Sequence, residues 1–296
     1  MLVVEQHGDA LRVAAPAKIN VGLRLLGKRP DGYHEIESLV MAVNLTDTLE
    51  AVPTDGSEVS LSVRPDGADA PQDESNLVVR AARLLQQECG CSRGGRVTLT
   101  KRIPSQRGLG GGSSDAAAAL VLLSRLWDLD CSTADLAALA AQLGSDVPFF
   151  LNGPLAIMRG RGERIEPLDG TPDVHVVLVV PPFGLPTGDV YGHAKLPLTG
   201  GGGTVSVWAA CLMAGHIVEL GQHLCNDLEP AAQALNSNMA RLCSMLKRAG
   251  AVCVSMTGSG SALYALANRE EEAWRVVNDL DLGAGVAVHM LTPWHS

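Results

Sequence analysis

A run of glycines closing on two hydroxyls and a carboxylate, Gly108-Leu-Gly-Gly-Gly-Ser-Ser-Asp115, lies between an alternating stretch, RVTLTKRI (96–103), and an apolar small-residue stretch, AAAALVLLSRLW. Glycines let backbone N–H groups approach an anion closely, and the free N–H groups and positive dipole end of a following helix hold phosphate. Ser113 and Ser114 can cap that helix and offer hydroxyls to a phosphate or its magnesium. Lys101, Arg102 and Arg107 place positive charge beside the loop. A plain turn with a serine N-cap is the simpler alternative, and the adjoining helix start and basic residues favour phosphate over it. The dinucleotide fingerprint G-x-G-x-x-G fails from Gly108, because position 113 is serine. Gly22 to Lys28 comes near the pattern G-x-x-x-x-G-K-[ST], but Arg29 follows and the intervening LRLL reads as strand. The H-R-D and D-F-G signatures of protein kinases and the G-x-S-x-G of α/β-hydrolases are absent.

Four further positions stand out. Lys18 and Asn20 are two apart in a strand-like segment and so share a face; a single lysine there is by itself an ordinary solvated residue. Asp146 follows Gly144-Ser145 and precedes Val147-Pro148, which reads locally as a helix N-cap with proline near the first turn. Asp31-Gly32-Tyr33-His34 is a turn by its first two residues, but a turn does not explain two ring side chains in a chain with three tyrosines. Gly258-Ser-Gly-Ser261, between two apolar runs, is a tight turn by default.

The elements that would position these residues follow from periodicity. Ile19, Val21, Leu23 and Leu25 alternate with polar or small residues, as do Val59, Leu61 and Val63, so both stretches predict strands. Ser75 or Asn76 caps a predicted helix over LVVRAARLLQQE. After the glycine loop, AAAALVLLSRLW predicts one helix and ADLAALAAQLG a second, ending at Gly144. A short strand pair fits 154–168, and Asp169 to Asp173 reads as a linker. Beyond it come a buried strand (VHVVLVVPP), helices over 205–220 and 230–248, and two strands around the second glycine turn. A helix (EEEAWRVVNDL) and a last strand (AGVAVHML) complete the chain. Gly200 to Gly203 is expected to be a flexible loop. The pattern is α+β in two halves.

Composition narrows the class. Of 296 residues 46% are hydrophobic and 19% charged, so the chain folds and is long enough for one large domain or two ordinary ones. A net charge of −9 argues against a broad nucleic-acid or anionic-membrane surface. With 32 glycines and only 3 tyrosines, 3 phenylalanines and 4 tryptophans, the core must rest on Ala, Leu and Val. The 7 cysteines are scattered without zinc-ligand or C-x-x-C spacing, which fits reduced thiols, and a soluble, cytoplasmic protein without signal peptide or membrane span is expected.

The segment Pro104-Ser-Gln-Arg-Gly-Leu-Gly-Gly-Gly-Ser-Ser114 resembles the middle motif of the GHMP kinases, the galacto-, homoserine, mevalonate and phosphomevalonate kinases. PAKINVGLRLLGKRPDGYHEIESL (16–39), NLVVRAARLL (76–85), LGSDVPFFL (143–151), GRGE (160–163), NDLEP (226–230) and MTGSGSALYAL (256–266) are similar to motifs of one branch of that family, in the expected order. That branch phosphorylates a cytidine diphosphate sugar alcohol in non-mevalonate isoprenoid precursor biosynthesis. The resemblance implies a two-domain fold, with a ribosomal protein S5 domain 2-like N-terminal domain over 1–168 and a ferredoxin-like C-terminal domain over 169–296. It implies ATP with Mg2+ as phosphoryl donor, a small-molecule acceptor, and neither nucleic acid nor membrane as partner.

Residue by residue, the resemblance puts Lys18 at the acceptor hydroxyl, where an ammonium can stabilise a developing alkoxide and bind phosphate oxygens. It makes Asp146 the catalytic carboxylate that accepts the hydroxyl proton. Pro104, Ser105, Gln106, Arg107, Gly108, Leu109, Gly110, Gly111, Gly112, Ser113 and Ser114 would hold the ATP phosphates, with Asn76 near the adenine. Asn20, Gly258 and Ser259 would shape the acceptor region. Tyr33 would stack on the cytosine, His34 would read its polar edge, and Tyr191 would supply the second face; for Tyr191 simple core packing is a comparable alternative. A family member acting on a non-nucleotide alcohol would leave the Asp31-Gly-Tyr-His34 turn without a purpose, and a non-catalytic relative would have no need of both Lys18 and Asp146.

Overall fold

The structure, a computed structural model, describes residues 2–65, 69–195 and 203–295; most of the Gly200–Gly203 loop expectation lies outside them. Strand β1 (Val4–His7) leads into the long β2 (Ala10–Lys28), which returns as β3 (His34–Thr54). There follow β4 (Val59–Arg64), α1 (Leu77–Glu88), β5 (Gly94–Thr100), α2 (Gly111–Leu126), α3 (Thr133–Leu143), α4 (Phe149–Asn152), β6 (Leu155–Gly160) and β7 (Arg164–Pro167). These strands form one sheet in the order β1-β2-β3-β5-β4, with β6 on β3 and β7 on β6. The C-terminal half runs β8 (His175–Val180), α5 (Thr187–His193), α6 (Val205–Met213), α7 (Ile217–His223), α8 (Glu229–Leu235), α9 (Asn238–Arg248), β9 (Cys253–Met256), β10 (Leu263–Ala267), α10 (Glu270–Asp279) and β11 (Ala287–Leu291).

The second sheet is ordered β11-β8-β10-β9, with antiparallel neighbours throughout. That is the order of a split βαβ, ferredoxin-like sheet, with α5 to α9 inserted in its first crossover. The α+β expectation therefore holds, as do most of the expected elements. Three local expectations do not. The helix patterns over 205–220 and 230–248 are each two helices, α6 and α7 broken around Gly215, where φ is +70°, and α8 and α9 broken at Asn236-Ser237. Helix α2 begins at Gly111 with Gly110 as its N-cap and no side-chain cap bond, so Ser113 and Ser114 lie inside the first turn rather than capping it. Pro148 precedes α4, so Asp146 sits in the turn before that helix and does not cap it.

Helices α1 to α4 cover one face of the first sheet. The run Ala116–Ala119 is fully buried there, and such small side chains let α2 lie close to the strands. A second core joins Ile19, Val21, Leu39 and Met41 to Val176, Leu178, Trp208 and Tyr264, so the other face of the same strands packs against the C-terminal half. The halves are also tied by backbone. Trp294 N–H donates to the Ala42 carbonyl at 2.9 Å and Asn44 N–H to that of Thr292 at 3.0 Å. Among the described residues no helix is long and apolar enough to cross a membrane.

The halves approach closely at Gly22. A Cβ there would lie 2.4 Å from Cζ3 of the buried Trp208, whose indole N–H donates to the His223 carbonyl at 2.8 Å. Gly22→Ala must displace a fixed indole, and overpacking of this kind costs about 1–3 kcal/mol. Urea denaturation should show a lowered midpoint; an unchanged midpoint would mean that the indole is not lodged against this strand.

Candidate active site

Strand β2 carries Lys18 and Asn20 on one face. Lys18 is buried, its backbone N–H donates to the Leu109 carbonyl at 2.9 Å, and its ammonium donates to Asn20 Oδ1 and lies 3.5 Å from Asp146 Oδ2. Asn20 Nδ2 donates to Ser38 Oγ at 2.8 Å, and Ser38 Oγ donates to the Gly22 carbonyl at 2.6 Å. This relay fixes the amide so that its oxygen faces the ammonium. An ammonium and a carboxylate side by side can hold and polarise a hydroxyl placed between them.

The glycine loop reaches this pair because it has no side chains in the way. Gly110 has φ +70°, and a Cβ on it would lie 2.9 Å from Lys18 Cγ. Gly108 has φ +76°, and its Cβ would lie 2.1 Å from the carbonyl oxygen of Thr257. The Thr257 hydroxyl donates to the Gly108 carbonyl at 3.0 Å and accepts from Asn20 N–H at 3.0 Å. Thus β2, the glycine loop and the 257–261 turn converge on one point. Asn226 braces that turn by donating to the Met256 and Gly258 carbonyls at 2.7 and 2.8 Å. Its neighbour Asp227 accepts from Leu25 N–H at 2.8 Å, a purely structural role.

Lys101, at the end of β5, is buried between Asp47 and Asp115, 2.8 Å from the latter. Burial alone would lower its pKa, but the two carboxylates outweigh burial and raise it. Burial pushes the Asp115 carboxyl up to about 7, with Lys101 opposing and Asp47 adding to the shift. The Asp115 Oδ1 and Ser114 Oγ atoms are buried without a hydrogen-bond partner among the described residues.

The turn between β2 and β3 presents the rings. Gly32 has φ +87°, Arg29 N–H donates to the Tyr33 carbonyl at 2.8 Å, and Tyr33 N–H donates to Asp31 Oδ1 at 3.1 Å. Tyr33 is left 54% exposed, with the Arg161 guanidinium 5.2 Å from its ring centroid. His34 packs on Tyr191 instead, their centroids 5.4 Å apart at 38°. Burial lowers the His34 pKa, with Lys28 assisting, so its ring is neutral at pH 7 and has one donor and one acceptor nitrogen. Burial, and then the Asp146 charge, push the Tyr191 phenol above its usual value.

These groups line one cavity of about 1190 Å³. Its wall includes Lys18, Asn20, Tyr33, His34, Asp146, Tyr191, Gly258 and Ser259, with every residue from Pro104 to Ser113. Two expected site residues are not on that wall. Ser114 is fully buried, and Asn76 spends its amide capping α1, accepting from Val78 N–H at 2.9 Å and donating to the Pro71 carbonyl at 2.6 Å; Leu77, beside it, does line the cavity. Arg107 is on the wall, but its guanidinium donates to the Pro181, Pro182 and Ser105 carbonyls at 3.1, 3.2 and 3.0 Å. It therefore clasps the halves together more than it offers charge to an anion.

Sequence reasoning missed Lys28, Ser145, Arg161 and Thr187, all on the wall, and the bracing roles of Thr257 and Asn226. The signal is present as segments for two of these, since Arg161 lies in GRGE and Asn226 in NDLEP. Only the fold shows that Thr187 Oγ1 lies 3.0 Å from Ser259 Oγ.

The chain matches the family models for the GHMP kinases N terminal domain over residues 76–154 and GHMP kinases C terminal over residues 208–282. It is 44% identical over 262 residues to the 4-diphosphocytidyl-2-C-methyl-D-erythritol kinase of Pelotomaculum thermopropionicum, covering 88% of this chain and 91% of that protein. To the same-named kinase of Bacillus cereus it is 38% identical over 270 residues, 91% and 92% of the two chains. The crystal structure of a 4-(cytidine 5'-diphospho)-2C-methyl-D-erythritol kinase superposes with a TM-score of 0.79 at 35% identity, covering 95% of this chain and 99% of that one.

Gly108→Ala tests the convergence. A side chain there meets backbone, and a left-handed φ costs a non-glycine residue about 1–2 kcal/mol before any clash. The variant should melt lower and lose ATP binding in a calorimetric titration. Retained ATP affinity would show that the loop does not cradle the phosphates.

Proposed function

The chain belongs to the GHMP kinases, and we propose that it transfers the γ-phosphoryl group of ATP to the 2-hydroxyl of 4-diphosphocytidyl-2-C-methyl-D-erythritol, in non-mevalonate isoprenoid precursor biosynthesis. The observation that carries the reading is the Lys18–Asp146 pair, 3.5 Å apart, at the mouth of the glycine loop and in one cavity with Tyr33 and His34. Residues 1–168 form the nucleotide half and 169–296 the second half in this reading, and the chain works in the cytoplasm, where its free thiols stay reduced.

The glycine loop and the N-terminus of α2 hold the ATP phosphates by backbone N–H groups and helix dipole. Leu77 and the cavity wall before the loop flank the nucleoside. Asp146 accepts a hydrogen bond from the acceptor hydroxyl and orients its lone pair towards phosphorus. As the new O–P bond forms and the bond to the leaving ADP oxygen breaks, the hydroxyl proton passes to the Asp146 carboxylate. Lys18, held by Asn20, offsets the negative charge that develops on the attacking and transferring oxygens.

For magnesium the fit is that of an ion carried in by the nucleotide. Among the described residues no group of three or more His, Cys, Asp or Glu side chains is arranged to hold a metal, so phosphate and water would supply most ligands. Ser113, on the cavity wall, carries the protein hydroxyl suited to it. Such an ion would neutralise charge on the β- and γ-phosphate oxygens.

At the base end, Tyr33 stacks on the cytosine. His34, neutral and anchored against Tyr191, reads its donor–acceptor edge.

The direct test is ADP release from ATP with a panel of alcohols that includes 4-diphosphocytidyl-2-C-methyl-D-erythritol, homoserine and mevalonate. Turnover confined to the cytidine compound is expected, and faster turnover of either other alcohol would overturn the acceptor assignment. Asp146→Asn should fold normally and lose about 10²-fold or more in kcat; near wild-type kcat would remove Asp146 from the transfer step. Tyr33→Ala should raise the acceptor KM by about 5- to 150-fold, since base stacking is worth about 1–3 kcal/mol. ATP KM should stay unchanged, and an unaltered acceptor KM would sink the stacking role.

A further inference from the structure

The hairpin turn between β6 and β7, Gly160-Arg-Gly-Glu163, borders the cavity at Arg161 and takes no part in the transfer step itself. Arg161 is exposed and lines the cavity. The carboxylates around it are already engaged. Asp31 accepts from Arg29 Nε at 3.1 Å, Glu35 pairs with Arg29 and Arg164, and Glu37 pairs with Arg159. Glu163 accepts from the backbone N–H of Arg161 itself at 2.7 Å, which fixes the turn. Among the described residues, Arg161 forms no ion pair within 4.0 Å. Asp31 feels its charge without bonding to it. An unpaired guanidinium facing a cavity in an acidic protein is a site for an anion.

Its position says which anion. On one side the guanidinium lies over the Tyr33 ring, 5.2 Å from the centroid. On the other, the next residue, Gly162, is close enough to Asp146 that a Cβ on it would lie 3.7 Å from Oδ1. Arg161 therefore stands between the ring that stacks on the base and the carboxylate that faces the reacting hydroxyl. In the acceptor named above, the diphosphate stands between the cytidine and the sugar alcohol in the same order. Lys28, exposed on the cavity wall at the start of the ring-bearing turn, adds a second positive charge at this end.

We propose that Arg161 grips the diphosphate bridge of the acceptor, and so selects a diphosphate-linked nucleoside over the bare nucleoside. The inference rests on the acceptor reading of the preceding subsection. Arg161 is a specificity residue that sets the spacing between base and reacting hydroxyl, while Lys18 and Asp146 remain the groups at the transfer itself.

The experiment is a calorimetric titration of cytidine and of CDP into the wild type, Arg161→Gln and Arg161→Lys. The wild type should bind CDP more tightly than cytidine. Arg161→Gln should weaken CDP by about tenfold or more, the value of a charge-assisted bond to phosphate, with cytidine changed less than about twofold. Arg161→Lys should fall between, because it keeps the charge and loses the bidentate fork. In turnover assays Arg161→Gln should raise acceptor KM and leave ATP KM unchanged. Equal weakening of cytidine and CDP would overturn the proposal, because Arg161 would then act only by propping Tyr33. Unchanged CDP affinity would overturn it outright. A wild type that binds neither ligand would bring down the cytidine acceptor reading and this inference with it.

Discussion

One buried ammonium holds the site in shape. Lys101 leaves the end of β5 and meets Asp47 from β3 and Asp115 from α2, so a single side chain closes the whole loop from 101 to 115 onto the sheet. Asp47 is fully buried, and its other oxygen accepts from the backbone N–H groups of Arg102 and Ile103. Burial pushes the Asp115 carboxyl up to about 7, with the Lys101 charge opposing the shift and the Asp47 charge adding to it. Burying such a group gains little stability over an apolar equivalent, but it has few satisfactory geometries, so it fixes where the loop begins and ends. The glycines between those clamps are then free to follow an anion without losing their anchorage.

The second constraint is a change of face along β2. Val13 and Ala15 belong to the core under α1 to α3, whereas Ala17, Ile19 and Val21 belong to the core shared with the C-terminal half. Same-parity residues ought to stay on one side of a strand, and the register shift between Pro16 and Ala17 marks where they exchange. Lys18 is the first residue after the exchange whose side chain opposes the shared core. The irregularity thus delivers a charged side chain to the glycine loop while its neighbours continue to knit the halves together.

This geometry explains what was legible in the sequence and what was not. Segments with clean alternation, such as Val59–Arg64, or a strong cap, such as Asn76 before α1, declare themselves locally. Strand β3 does not, because residues 38 to 43 are all buried, so no alternation marks it. The breaks within 205–220 and 230–248 also escaped periodicity, since each pair of short helices keeps a similar apolar spacing across its break. Glycine and serine around 108–114 announced a phosphate loop, but cap assignment depended on the left-handed Gly110, which composition does not specify. The pairing of Lys18 with Asp146 and of Tyr33 with Arg161 is tertiary. Family resemblance supplied the first, and only the fold supplies the second.

The backbone-on-backbone contact between Gly108 and Thr257 has a further consequence. The loop cannot gain a side chain at Gly108 unless the Thr257 backbone retreats, although 149 residues separate them. As sequences drift, the two segments behave as one heritable unit: recombination that exchanges one half of the molecule for a distant relative's must bring a matching turn, or the cleft will not close.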